Sequence, residues 1–176
     1  MLGNLRQAIG VSVFFFILLG LAYPLAETGI GQALFSHQAN GSLSAYGSTL
    51  VGQQWHGPRW FQGRPDADNP MATGGSNLGP RSKALVTAVA QQAARLRAEG
   101  ITPTQDLVTT SGSGVDPDIS PADAYAQVNT VARARGIPAA DVRRLVASQV
   151  QNPQLGFLGS SYINVLQLNE KLAALK

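Results

Sequence analysis

The sequence predicts an α+β fold: a single N-terminal transmembrane helix, residues 1–26 with its short leading segment, followed by one mixed α+β extracytoplasmic domain over residues 27–176. Three observations lead there. Gln7 to Ala26 contains no charged side chain. Beyond it, short strand-like runs come early and helical periodicity comes late, the order of an α+β domain rather than of an alternating α/β one. Between these runs lie most of the 19 Gly and 10 Pro, which break the chain into loops.

The apolar run is centred on Val11 to Leu21 and bounded by Arg6 and Glu27. A bilayer core of ~30 Å needs about 20 such residues in a helix. Tyr23 suits the membrane interface, and Pro24 is expected to end the helix. A cleaved signal peptide has a shorter apolar stretch and a small residue at the cleavage site, where this chain has Ala22-Tyr23-Pro24. Arg6 precedes the span and no Lys or Arg follows until Arg59. The positive-inside rule therefore places the N-terminus in the cytoplasm and residues 27–176 outside. Ala8 and Ser12 form a small-xxx-small pair, and with Gly10 and Gly20 they are the expected packing positions of the anchor.

In the exterior part, Thr49–Gln53 and Arg59–Gln62 read as strands around the turn His56-Gly57-Pro58. Residues 63–81 are a long Gly/Pro loop. Leu85, Val89, Ala93 and Leu96 recur at helical spacing after Ser82, and Gly100 fits the end of that helix. Asp106–Thr110 reads as a strand and Ser111–Pro117 as a loop. Ser120, Pro121 and Asp123 make the clearest helix start, with Ala124, Val128, Val131 and Ala132 facing inward and Gly136 closing it. Pro138 opens another helix, through Val142, Leu145 and Val146. Tyr162–Val165 reads as a strand, and Leu168, Leu172 and Leu175 line a last helix.

Composition removes several classes of function. The chain has no cysteine, so disulfides, Cys-ligated metals and thiol catalysis are excluded. Charged residues are 13% of the chain, about half the usual share, with 44% hydrophobic, the reverse of a disordered composition. A net charge of +3, from 13 basic against 10 acidic residues, gives no basic stripe for nucleic acid.

Most residues that could carry chemistry have structural readings. His37 and His56 have no metal-binding spacing, and two ligands do not make a zinc site. No metal or cofactor of its own is expected. Gly74 to Gly79 matches half of a phosphate-binding loop, but Pro80 and Arg81 stand where Lys and Ser or Thr are required. Neither serine-rich loop fits a nucleophile elbow. Asp116 is read as setting the turn at Pro117 and Asp118 as favouring the next helix start, with an anchored hydrolase using the two as the alternative. Asp66 and Asp68 are read as solvated. Arg133, Arg135, Arg143 and Arg144 split over different helix faces and are read as solvated surface. Trp55, Trp60 and Phe61 are read as a satellite core, with a recognition platform for a cell-wall glycan as the competing use.

Taken in order, several blocks resemble one family. They are the anchor ending in Tyr23-Pro24, Gln38–Leu43, Gly52-Gln53, Phe61–Pro65, Gly74–Leu78, Leu107 through Asp116-Pro117 to Pro121, Gln127, Val131–Arg135, Val165-Leu166 and Leu168-Asn169. The chain resembles the C subunit of bacterial Kdp-type potassium-transporting P-type ATPases over nearly its whole length. It departs at Thr73, Thr130 and Ser160-Ser161. The resemblance implies a non-enzymatic accessory subunit at the bacterial inner membrane, in complex with a channel-like potassium-binding subunit and an ATP-hydrolysing P-type subunit. ATP and potassium would act in that complex, which imports potassium with high affinity. The resemblance also implies a role in assembly and a chaperone-like raising of the ATP affinity of the pumping subunit, with Gln127 as the nucleotide-touching residue. An exterior domain conflicts with direct ATP contact, since ATP is cytoplasmic, and a buried structural amide is the alternative for Gln127. The loops at Gly74, Gly75, Ser76 and Asn77 and at Ser111, Gly112, Ser113 and Gly114 are expected to present backbone to a partner.

Overall fold

The computed structural model describes residues 2–66, 71 and 73–175. They form two units, residues 1–43 and 44–176.

The first unit is a continuous helical run. Helix α1 spans Leu2–Ile17, a π-helical turn spans Leu18–Ala22, and α2 spans Tyr23–Leu34. Pro24 does not end the helix, contrary to its reading as a terminator. A proline has no N–H, and its ring crowds the carbonyl four residues back. The π turn relieves this, because Tyr23 bonds to the Leu18 carbonyl five residues back. The helix is long and apolar enough to cross a membrane over Gly3–Leu34. At 1.5 Å per residue it runs about 48 Å, well beyond a ~30 Å bilayer core. Ala8, Gly10, Ser12 and Gly20 all lie exposed along it. A Cβ at Gly10 would meet nothing within 4 Å. A short helix α3, Ser36–Ala39, follows.

The second unit is built mainly from helices, with very small sheets. Strands β1 (Leu43–Ser44) and β2 (Gly47–Ser48) pair, and β3 (Asp118–Ile119) pairs antiparallel with β4 (Ile163–Asn164), Asp118 opposite Asn164 and Ile119 opposite Ile163. Between them come α4 (Lys83–Ala98), α5 (Gln105–Val108), α6 (Pro121–Arg135) and α7 (Ala139–Gln149), and α8 (Val165–Ala174) closes the chain.

Helix α6 sits at the centre. Ser120 caps it, its hydroxyl accepting from the Asp123 N–H at 3.2 Å, and Gly136 ends it at φ 71°. Ala124, Val128, Val131 and Ala132 are buried against Phe61, Leu96, Leu107, Val142, Val146, Leu168 and Leu172. Burying each Val or Leu contributes about 1.5–3 kcal/mol. Helix α4 follows Ser82 and passes into Gly100 at φ 74°. Asn164 caps α8 through the Gln167 N–H at 3.2 Å.

Three expected strands are absent. Thr49–Gln53 and Arg59–Gln62 are irregular, and Asp106–Thr110 enters the short helix α5, where the Gln105 carbonyl accepts from Thr109 N–H and Oγ1. The expected strand at Tyr162–Val165 shrinks to β4, because Val165 already begins α8.

Candidate functional site

The two glycine-rich loops, far apart in sequence, fold onto each other. Gly74 N–H donates to the Ser113 carbonyl at 2.7 Å. A Cβ on Gly75 would stand 2.9 Å from the Gly112 oxygen, and one on Gly114 would stand 2.5 Å from the Gly74 oxygen. Gly114 also needs its φ of 71°. Only glycine lets two backbones approach this closely. A third segment joins them, with Gly52 N–H donating to the Val115 carbonyl at 2.8 Å.

Asp66 organises the second loop. Its Oδ1 accepts from Ser111 N–H at 2.7 Å, and its Oδ2 accepts from Ser111 Oγ at 2.7 Å and Asp116 N–H at 2.8 Å. Ser111 Oγ in turn accepts from Gly114 N–H at 2.9 Å. The solvated reading of Asp66 is therefore overturned: its carboxylate does the work of a neighbouring strand. Asp68 lies outside the described residues. Arg64 lies alongside. Its Nη2 reaches Asp106 Oδ1 at 2.6 Å, and its Nε stands 3.2 Å from Asp116 Oδ2.

The paired acids have structural partners. Asp116 Oδ1 accepts from Asp118 N–H at 3.0 Å, the turn expected at Pro117. Asp118 Oδ1 accepts from Asn164 Nδ2 at 3.0 Å. Burial lifts the Asp118 carboxyl above its ordinary value, the Asn164 amide opposes the lift, and the Asp116 charge adds to it. Asp106 is also raised, first by burial and then by Asp123. For Asp123 burial pushes the same way, but its hydrogen bonds, led by the one from the Ser120 hydroxyl, outweigh it and hold the carboxyl low. Among the described residues no three His, Cys, Asp or Glu side chains cluster as metal ligands.

Gln127 is fully buried on α6. Its Oε1 accepts from Gln62 N–H at 2.8 Å, and its Nε2 donates to Gln62 O at 3.0 Å and Asp123 O at 3.3 Å. Asn169 on α8 treats Phe61 the same way, at 2.9 Å to both N–H and carbonyl. These two amides satisfy the Phe61-Gln62 backbone that the sequence assigns to a strand, which is why no strand partner is present. Both amide hydrogens of Gln127 are engaged in holding this segment.

A family profile described as KdpC, K+-transporting ATPase, c chain, matches residues 5–174. The chain belongs to the KdpC family. A potassium-transporting ATPase KdpC subunit of Caulobacter vibrioides is 50% identical over 186 residues, covering 99% of this chain and 94% of the relative. The corresponding subunit of Sorangium cellulosum is 50% identical, covering 96% of each chain. That of Rhodopseudomonas palustris is 43% identical, covering 99% of this chain and 98% of the relative. The match takes in both the apolar helix and the interlocked loops, so both are parts of a KdpC chain.

Other candidates fall into place within this KdpC framework. The Trp55 and Trp60 rings are 5.0 Å apart, and Tyr46 lies 5.9 Å from Trp55. Both tryptophans pack on the core, and Phe61 is inside it. The aromatic trio is thus packing, which removes the feature that supported a glycan platform. Arg135 is not simply solvated. Its guanidinium lies 5.0 Å over the Trp60 ring and donates to the Arg59 carbonyl at 3.3 Å. Arg143 lies 5.7 Å over Tyr125, and Arg144 pairs with Asp141, so the arginines do serve separate faces. Thr130, one of the departures, is buried and donates to the Gly100 carbonyl at 2.7 Å, tying α6 to the end of α4. His37 and His56 are exposed.

Proposed function

We propose that the chain is a non-catalytic, membrane-anchored subunit of a potassium-transporting ATPase complex. Its domain lies outside the cytoplasm and docks the interlocked glycine loops on the channel-like subunit. The observation that carries this is the loop pair itself. Two segments meet main chain to main chain, pinned from behind by Asp66, and leave Gly74, Ser76, Asn77, Gly112 and Ser113 exposed. Such a surface offers backbone donors and acceptors in fixed positions with little side-chain obstruction. Asp116 and Asp118 are already used in the turn and the β3–β4 pair. Docking that favours one conformation of the complex raises the ATP affinity of the pumping subunit from across the membrane, with no contact to ATP.

The test is affinity purification of the complex in mild detergent with Gly112→Val in this chain. A Cβ at Gly112 meets nothing within 4 Å, so the fold accommodates it while the presented surface changes. Weaker retention of the chain and slower potassium uptake are expected, with unfolding temperature unchanged. Retention and uptake equal to the parent would refute docking through these loops.

A further inference from the structure

Between α7 and α8 lies a hairpin that the proposed docking loops do not involve. Gln151 and Tyr162 exchange backbone hydrogen bonds of 2.8 and 3.1 Å, and Gln154 and Leu158 exchange two more of 3.0 and 2.9 Å. Leu155, Gly156 and Phe157 close the tip. Leu155 stands at φ 54° and Gly156 at φ 82°, with Gly159 beyond at φ 88°. A left-handed backbone is unusual for a leucine, and it persists only where the surrounding structure fixes it.

The tip exposes what domains ordinarily hide. Leu155 is 83% accessible, Phe157 74% and Leu158 50%. From Leu145 to Asn169 no side chain carries a formal charge. Exposed hairpins are normally protected by charge, above all by lysine, and this one has none. Contiguous exposed apolar groups of this kind mark interaction sites.

Two properties narrow the occupant. The first is shape. Two pairs of backbone hydrogen bonds and a left-handed leucine fix the backbone from which the three apolar groups project. A fluid lipid surface makes no demand on backbone shape, whereas a packed protein interface requires complementarity at its core. The second is charge. An uncharged tip fits a site that is itself uncharged, because burying it strands no ion on either side.

We infer that the Leu155–Leu158 tip is an anchor that inserts Phe157 and the flanking leucines into an uncharged apolar pocket on another protein subunit of the ATPase. This rests on the reading of the chain as a subunit, and adds a contact separate from the glycine loops. An aromatic side chain enclosed in a pocket is the usual centre of such an interface.

The experiment places a photo-crosslinking amino acid at position 157 of the full chain in the assembled complex, and measures retention of two variants alongside. Irradiation is expected to join the chain to an identified membrane subunit of the same complex. Phe157→Asp is expected to speed dissociation of the chain about tenfold with its unfolding temperature unchanged. Leu155→Asn guards against a folding artefact, since asparagine tolerates the left-handed backbone while removing the apolar group, and the same loss of retention is expected. Adducts to lipid alone, no adduct to any subunit of a complex that contains the chain, or retention of both variants equal to the parent would overturn the inference. A complex purified without the chain would overturn the subunit reading on which it rests.

Discussion

Replacing the Asp66 carboxylate by a methyl group strands Ser111 N–H and Asp116 N–H and leaves Ser111 Oγ only the Ser113 hydroxyl, at 3.2 Å, to donate to. Ser111 is buried, so its N–H has no water to turn to. Asp66→Ala is expected to cost about 2–3 kcal/mol, read as a fall in unfolding temperature of about 6–12 °C. Unfolding within about 2 °C of the parent would show that the loop does not depend on this carboxylate. Asp118 gives a test of opposite sign. Burial lifts its folded-state value, so the folded chain binds the proton more tightly than the unfolded one. The stability linked to this group is present in acid, below the unfolded value, and is lost as pH rises through the folded value. Asp118→Asn removes the buried charge and leaves an oxygen to accept from Asn164. The variant is expected to unfold at a higher temperature than the parent at neutral pH. Its advantage should shrink as pH falls through the folded-state value of Asp118, which lies above the ordinary carboxylate value. An advantage that grows in acid would refute the assignment. Asp66 was not legible in the sequence, where it sits in a Pro/Gly loop. Its partners lie 45 and 50 residues away, and no local pattern encodes that. The Ser120 cap was legible, because its partner is three residues away.

At the scale of elements, the two loops respond differently to the same substitution. A Cβ on Gly75 meets the Gly112 backbone oxygen at 2.9 Å, so one backbone must give way, while a Cβ on Gly112 meets open space. Gly75→Val is expected to destabilise the domain by about 1–3 kcal/mol, and Gly112→Val by less than about 0.5 kcal/mol. Denaturant midpoints for the two variants measure this directly, and equal midpoints would contradict the loop packing. The helices were legible for the same reason as the Ser120 cap: α4, α6 and α7 carry periodic apolar faces and local start and stop residues. The strands were not. Phe61-Gln62 has strand-like residues, but the side-chain amides of Gln127 and Asn169 complete its hydrogen bonds in place of a strand. Asp106–Thr110 is rich in β-branched residues, yet Gln105 accepts both donors of Thr109 and winds the segment into a turn of helix. Pro24 misled for a third reason. A proline stops an α-helix only if the register is kept, and the π turn ahead of it changes the register.

For the whole molecule the decisive question is which side of the membrane holds residues 44–176. The charge bias rests on Arg6 alone, set against a span followed by no cation until Arg59. The buried and fully bonded Gln127 fits a domain that works without touching nucleotide, and the exposed loops and hairpin tip fit one that works by contact. The absence of cysteine allows a clean measurement, because a single introduced thiol is the only site of reaction. Ser148 is exposed on α7, and Ser148→Cys alters no core contact. A membrane-impermeant maleimide added to intact spheroplasts is expected to modify Ser148→Cys fully, while Asn4→Cys, ahead of the span, reacts only after lysis. A reporter fused after Lys176 should likewise behave as exported. The reverse pattern would put the domain beside ATP. Docking at the outer face would then fail, and the uncharged hairpin tip would have to find its pocket on the cytoplasmic side. Coupling across the membrane would no longer be required, and a nucleotide contact by this chain would have to be sought at residues other than Gln127, both of whose amide hydrogens already hold the Phe61-Gln62 segment and the turn of α6 beneath it.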